Sequence, residues 1–323
     1  MSLASTPDNP PPPNGAEEAI EATDGVRLRT VRWEATSGPH GTVAVLGGRG
    51  EFIEKYFEVA SDLLARGFAV ALMDWRGQGG SQRLLRNPRK GHVDDFSDYA
   101  RDLDALAQAI LEPQCPRPFF GLCHSMGAAA LLLAAEAGCC PFERLVLTSP
   151  MIAVKGLSHR GPKRLLAEGL EAVGLGGMFA PRGGGSDSIW VGPFAGNGLT
   201  SDPVRYARIA KVVAAAPEVR LGGPTIGWVS AAFRALRRFE EPNFPRVIAT
   251  PTLIVASGVD RVVEVAAAER FAAWMRAGRI VVIDGAEHEI LIERDVFRDQ
   301  FWAAFDAFVP GSAARERALA AAQ

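Results

Sequence analysis

Short apolar runs that alternate with helix-like segments constrain this chain more than any other feature. Thr42-Val43-Ala44-Val45-Leu46, Ala69 to Met73, Phe119 to Leu122 and Leu145-Val146-Leu147 each read as a short buried strand. Thr252 to Ala256 and Ile280 to Ile283 repeat the pattern toward the end of the chain. Between them lie helical faces. Phe57, Ala60, Leu63 and Leu64 mark one, with Gly67 where a helix stop is expected. Leu103, Leu106 and Ile110 mark a second within residues 95–110, and helices are expected over 263–277 and 295–308. Strands alternating with helices predict an α/β fold, a mostly parallel sheet with helices on both faces. Upstream, Val26, Leu28, Val31 and Trp33 follow the turn Asp24-Gly25 and predict the second strand of a hairpin.

The alternation stops after Pro150. Residues 155–244 carry helical patches, Arg164 to Val173 and Tyr206 to Ala215, but no clear buried strand. The expected organisation is therefore a core over 17–154 and 245–310, with 155–244 inserted as a helical cap or lid over the carboxyl edge of the sheet. Residues 1–16 include Pro10 to Pro13 in a row and read as a disordered, proline-rich tail. Residues 311–323 are Ala-rich and read as a peripheral tail.

Bulk properties exclude several function classes. A net charge of −2 gives no general attraction to nucleic acid. The cysteines at 115, 123, 139 and 140 show neither C-x-x-C metal spacing nor a disulfide framework, and no metal or cofactor is expected. No apolar run reaches ~18 residues without a charge, so no transmembrane helix is expected. The start lacks the charged and apolar regions of a secretory signal. Cytoplasm is the expected compartment, with peripheral membrane contact left open.

Ligands in parallel sheets bind at the carboxyl ends of the strands. Ser125 stands at such an end, between the Phe119 strand and the small-residue run Met126-Gly127-Ala128-Ala129-Ala130, which reads as a buried helix. A serine on a sharp strand-to-helix turn is the context of a nucleophile elbow. The turn tolerates little side chain two residues to either side; Gly127 and the small Cys123 hold those places. Of the histidines at 40, 92, 124, 159 and 288, only His288 follows the last strand, at the active edge. Asp260 follows the strand before it, with Asp284 and Glu264 as rivals. The chain order serine, acid, histidine is that of α/β-hydrolase triads. Ser125 would attack a carbonyl, His288 would move the proton, and Asp260 would fix the imidazole tautomer. The Met126 and Arg49 N–H groups are the expected oxyanion donors, the second from the Gly47-Gly48-Arg49-Gly50 loop. That loop lacks the Lys-Ser/Thr ending of a phosphate-binding P-loop.

The cap segment from Leu175 to Phe194 combines large apolar side chains with many glycines, as lids often do. Trp190 and Phe194, with Trp228, are expected to line an acyl pocket over Ser125; the alternative is that Met178, Phe179, Trp190 and Phe194 pack the cap onto the sheet.

The sequence resembles the α/β-hydrolase superfamily, in its bacterial lysophospholipase and monoacylglycerol-lipase-like branch. The stretches that carry the resemblance are Gly48 to Tyr56, Asp74 to Ser81, Gly91 to Phe96, His124 to Gly127, Ser201 to Tyr206 and His288 to Leu291. Cys123 departs from the usual elbow glycine, and Gly47 stands where many relatives carry histidine. The resemblance implies a serine hydrolase that cleaves carboxylic esters of the monoacylglycerol or lysophospholipid type and carries a helical cap. Acyl transfer, small-amide hydrolysis and ligand binding without catalysis are alternatives on the same fold.

Overall fold

The computed structural model describes residues 2–35, 39–157, 161–181, 185 and 188–312. The expected hairpin is β1 (Ala16–Glu21) against β2 (Arg27–Trp33), antiparallel with Ile20 opposite Leu28. β2 pairs antiparallel with β4 (Ala69–Met73). Every later pairing is parallel, through β3 (Thr42–Leu46), β5 (Phe119–His124), β6 (Arg144–Thr148), β7 (Thr252–Ser257) and β8 (Gly278–Ile283). The order across the 8-stranded sheet is β1-β2-β4-β3-β5-β6-β7-β8. The central strands β3, β4, β5 and β7 are buried along their whole length, as strands covered on both faces must be.

Helices cover both faces. In chain order they are α1 (Phe57–Ala65), α2 (Ser97–Leu106), α3 (Glu112–Gln114), α4 (Ser125–Glu136), α5 (Pro162–Leu170), α6 (Pro203–Ala215), α7 (Ile226–Phe239), α8 (Phe244–Val247), α9 (Val265–Trp274) and α10 (Asp295–Phe308). The two-residue period of β3 separates two cores. Val43 and Val45 pack with Phe57 and Leu63 of α1 and Phe301 and Phe305 of α10. Ala44 and Leu46 face the other side, with Leu103 of α2, Leu131 of α4 and Phe271 of α9.

Between β6 and β7 the described residues are helices and turns. Asp202 caps α6 by accepting from the Val204 and Arg205 N–H groups, and Thr225 caps α7 by accepting from Trp228 N–H. A third apolar cluster joins α6, through Tyr206, Ile209 and Val212, to Phe52 and Ile292 of the sheet domain.

The N-terminal segment differs from expectation. Asn9 is buried, its Nδ2 donates to Glu54 O at 2.9 Å, and Trp33 Nε1 donates to Pro12 O at 2.9 Å. β1 already begins at Ala16. Residues 2–15 are therefore docked on the domain, and the disordered tail over 1–16 is corrected. Prolines have little backbone freedom to lose, so a few hydrogen bonds suffice to seat such a segment. At the other end Ser312 is buried; from 313 onward the expected peripheral tail lies outside the described residues. No helix among the described residues is long and apolar enough to cross a membrane.

Candidate active site

Ser125 sits where β5 passes directly into α4, with φ +48°, a left-handed conformation that a non-glycine residue adopts only under constraint. The turn is tight on its helical side: a Cβ at Gly127 would stand 2.4 Å from Gly47 O. On the strand side Cys123 is fully buried, and burial pushes its thiol well above the ordinary range. It fills space as a small apolar residue.

His288, in the loop after β8, places Nε2 at 3.1 Å from Ser125 Oγ and Nδ1 at 2.7 Å from Asp260 Oδ2. Asp260 comes from the loop after β7, and its Oδ1 accepts from Val262 N–H at 2.7 Å and Val263 N–H at 2.9 Å. Burial alone would raise the Asp260 carboxyl. The His288 hydrogen bond and charge, with the two N–H donors, hold it below its ordinary value. Ser149 Oγ, after β6, donates to His288 O at 2.8 Å and fixes that loop. Asp284 and Glu264 are both exposed, and the His288 ring bonds Asp260 and Ser125 instead.

The Gly47-Gly48-Arg49-Gly50 loop is held on several sides. Trp75 Nε1 donates to Gly47 O, Gln78 Nε2 donates to Gly48 O, and Gln78 Oε1 accepts from Gly50 N–H. Glu51 Oε2 accepts from Gly48 N–H and from Tyr56 OH. Among the described residues these bonds leave the Arg49 N–H without a partner, as the helix start leaves that of Met126. Both residues line the cavity at Ser125.

Beside Ser125 and His288 lies a buried charge cluster that the sequence did not reveal. Lys55 Nζ donates to Glu51 Oε1 at 2.7 Å and also to Glu289 Oε2. His124 Nε2 lies 3.2 Å from Glu289 Oε2, and the His124 ring centre is 4.8 Å from that of His288. Burial would lower the His124 pKa, but the Glu289 and Glu51 charges raise it overall. Lys55 and the His124 ring thus face two carboxylates. Glu51, His124 and Glu289 are donor types that could hold a metal, with ligand atoms within 4.8 Å of one another, yet Lys55 is the cation seated between the carboxylates. The available signals were the i, i+4 spacing of Glu51 and Lys55 and the place of Glu289 beside His288.

Ser125 and His288 open into a cavity of ≈ 240 Å³. Its walls are mainly apolar: Met151, Leu157, Ile189, Phe233 and Leu236 line it, with Trp228. Trp228, Val229, Ala232, Phe233 and Leu236 form one face of α7, a helical stripe that sequence alone does not distinguish from core packing. Two expectations are corrected here. Trp190 is fully buried away from the cavity, packed with Tyr206 and Ile209 in the cluster between α6 and Phe52. Phe194 is exposed at the rim of that cluster, edge-on to Tyr206. Their neighbour Ile189 reaches the cavity instead. A wider open cleft of ≈ 480 Å³, lined by Phe239, Arg270 and Trp274, holds none of these polar groups.

Known proteins similar to this chain are of one kind. A family model described as serine aminopeptidase, S33, matches residues 37–295. Lysophospholipase L2 of Escherichia coli (strain K12) is 36% identical over 292 residues, covering 87% of this chain and 84% of that protein. Probable lysophospholipase L2 of Haemophilus influenzae is 29% identical over 254 residues, covering 79% of each. Among solved structures, a soluble variant of monoglyceride lipase from Saccharomyces cerevisiae, in complex with a substrate analog, superposes with a TM-score of 0.72 at 18% identity, covering 92% of this chain and 97% of that one.

Proposed function

The chain belongs to the serine aminopeptidase, S33, family of α/β-hydrolases, and from that premise we propose that it cleaves monoacylglycerol- or lysophospholipid-type esters through an acyl-enzyme on Ser125. The observation that carries this reading is the Ser125–His288–Asp260 hydrogen-bonded series opening into an apolar cavity. Ser125 Oγ attacks the ester carbonyl and its proton passes to His288 Nε2. The oxyanion accepts from the Met126 and Arg49 N–H groups, which need no reorganisation because the loop around Arg49 is already held. As the intermediate collapses, the leaving alcohol takes the proton from His288. Water then attacks the acyl-enzyme with His288 as base, releasing the fatty acid. Asp260 keeps Nδ1 protonated throughout and stabilises the imidazolium.

An aminopeptidase reading needs a carboxylate free to take the terminal ammonium of the substrate. The cavity's carboxylates, Glu51 and Glu289, are instead occupied by Lys55, which favours the ester. A cytoplasmic location is part of the proposal, supported by cysteines 115, 123, 139 and 140 being free thiols.

Chain length tests the reading. Each buried methylene is worth about 0.8 kcal/mol, so kcat/KM on p-nitrophenyl esters should climb from acetyl until the cavity is filled. Trp228→Ala should flatten the climb. A preference for acetyl over octanoyl, unchanged in Trp228→Ala, would contradict a lipid ester substrate.

A further inference from the structure

The acyl-transfer chemistry uses only the backbone of Arg49, although the residue lines the cavity and its guanidinium lies beside Trp228, which lines it too. Arg49 is the sole lysine or arginine among the described residues that line it. Its Nη2 donates to Gly222 O at 2.6 Å, and its Cζ lies 5.3 Å from the Trp228 ring centre. Its Nε is buried without a hydrogen-bond partner. No carboxylate of the described residues pairs with it, since Glu51 and Glu289 are held by Lys55 and His124. The room for the guanidinium comes from Gly91, where a Cβ would stand 2.5 Å from Arg49 Nη2. Burial pushes the group down to about 10, so it stays charged at neutral pH.

Arg49 is partly buried, and holding a cation there without a counter-ion is costly, a cost that an anionic ligand offsets. We propose that the Arg49 side chain binds the phosphate of a monoacyl glycerophospholipid while its backbone N–H serves the ester oxyanion. This rests on the ester-hydrolase reading and narrows it to a phosphate-bearing substrate. The spans agree. Five chain atoms separate the ester carbonyl carbon from phosphorus in such a lipid, a length comparable with the side chain between the Arg49 backbone and its guanidinium. The planar fork of arginine suits phosphate oxygens. An uncharged monoacylglycerol leaves the same group unpaired.

The test compares 1-oleoyl lysophosphatidic acid with 1-oleoyl glycerol, which differ only in the phosphate, in mixed micelles of one composition. The wild-type protein should favour the phosphate. In Arg49→Met the kcat/KM ratio of phosphate to neutral substrate should fall on the order of tenfold to a hundredfold, the usual loss for a hydrogen bond to a charged group. Arg49→Lys should recover part of it. An unchanged ratio, or an equal fall on both substrates, would mean that Arg49 only straps the loop to Gly222 and Trp228, and would overturn the assignment. If Arg49→Met does not fold, competition in the wild type decides. Glycerol 3-phosphate should inhibit p-nitrophenyl ester hydrolysis at lower concentration than glycerol. Equal inhibition by glycerol overturns the proposal, and inhibition by inorganic phosphate as strong as by glycerol 3-phosphate makes this a free-anion site and overturns the lipid assignment. A wild type that cleaves neither lipid nor p-nitrophenyl ester fails at the ester-hydrolase reading itself.

Discussion

Asp260 has no free oxygen: one accepts from the imidazole Nδ1–H of His288, the other from two consecutive backbone N–H groups. Such a carboxylate cannot rotate away, so the tautomer of His288 is set before substrate arrives. Asp260→Asn should lower ester turnover on the order of 10³–10⁴-fold, while the exposed Asp284→Asn should leave it nearly unchanged. The reverse ranking, read from initial rates on a soluble ester, would move the acid to Asp284. At this scale the hydrogen-bonded series of Ser125, His288 and Asp260 was legible because each stands just past a recognisable strand. Glu51, Lys55, Gln78 and Glu289 were not. Charged and amide side chains default to solvent in a sequence reading, and only the tertiary fold turns the side chains of 51, 55 and 289 toward one another.

The strands were the most legible elements, since runs buried on both faces leave little else for the sequence to mean. α7 was the least. Its cavity-facing stripe and its core-facing residues share one helical period, so burial alone does not say which apolar side chain meets substrate. The Gly-rich stretch before α6 has no period at all, and there Trp190 was assigned to the cavity wall when it is a packing residue. Trp190→Ala should therefore act on stability. It should cost about 3–5 kcal/mol and lower the melting temperature by roughly 10 °C, leaving the acyl-length preference as in the wild type. A variant that melts normally but loses its chain-length preference would return Trp190 to the cavity.

Across the whole molecule, one carboxylate ties the helices after β6 to the sheet domain. Glu58 on α1 accepts from Arg205 and Arg208 of α6 and from Arg298 of α10. Burial opposes its charge, but the Arg205 hydrogen bond and the Arg298 and Arg208 charges outweigh it and bring the carboxyl from 4.5 to about 2. A folded-state value below the unfolded one means that this stability is present above pH 4.5 and fades as the pH falls toward 2. Glu58 is partly exposed, so the contribution is about 1–2 kcal/mol. Glu58→Gln should melt earlier at pH 7, with the difference narrowing through that acid window. A difference constant with pH would assign the effect to packing. The seating of residues 2–15 was legible only at this scale, because it depends on Trp33 and Glu54, far along the chain. Ser125 is the nucleophile of the proposed reaction, and a fluorophosphonate probe reads that role directly. The wild-type protein should be labelled stoichiometrically on the Ser125 peptide and lose p-nitrophenyl ester hydrolysis in parallel, and Ser125→Ala should neither label nor turn over. Labelling at another residue, or hydrolysis retained in Ser125→Ala, would contradict it.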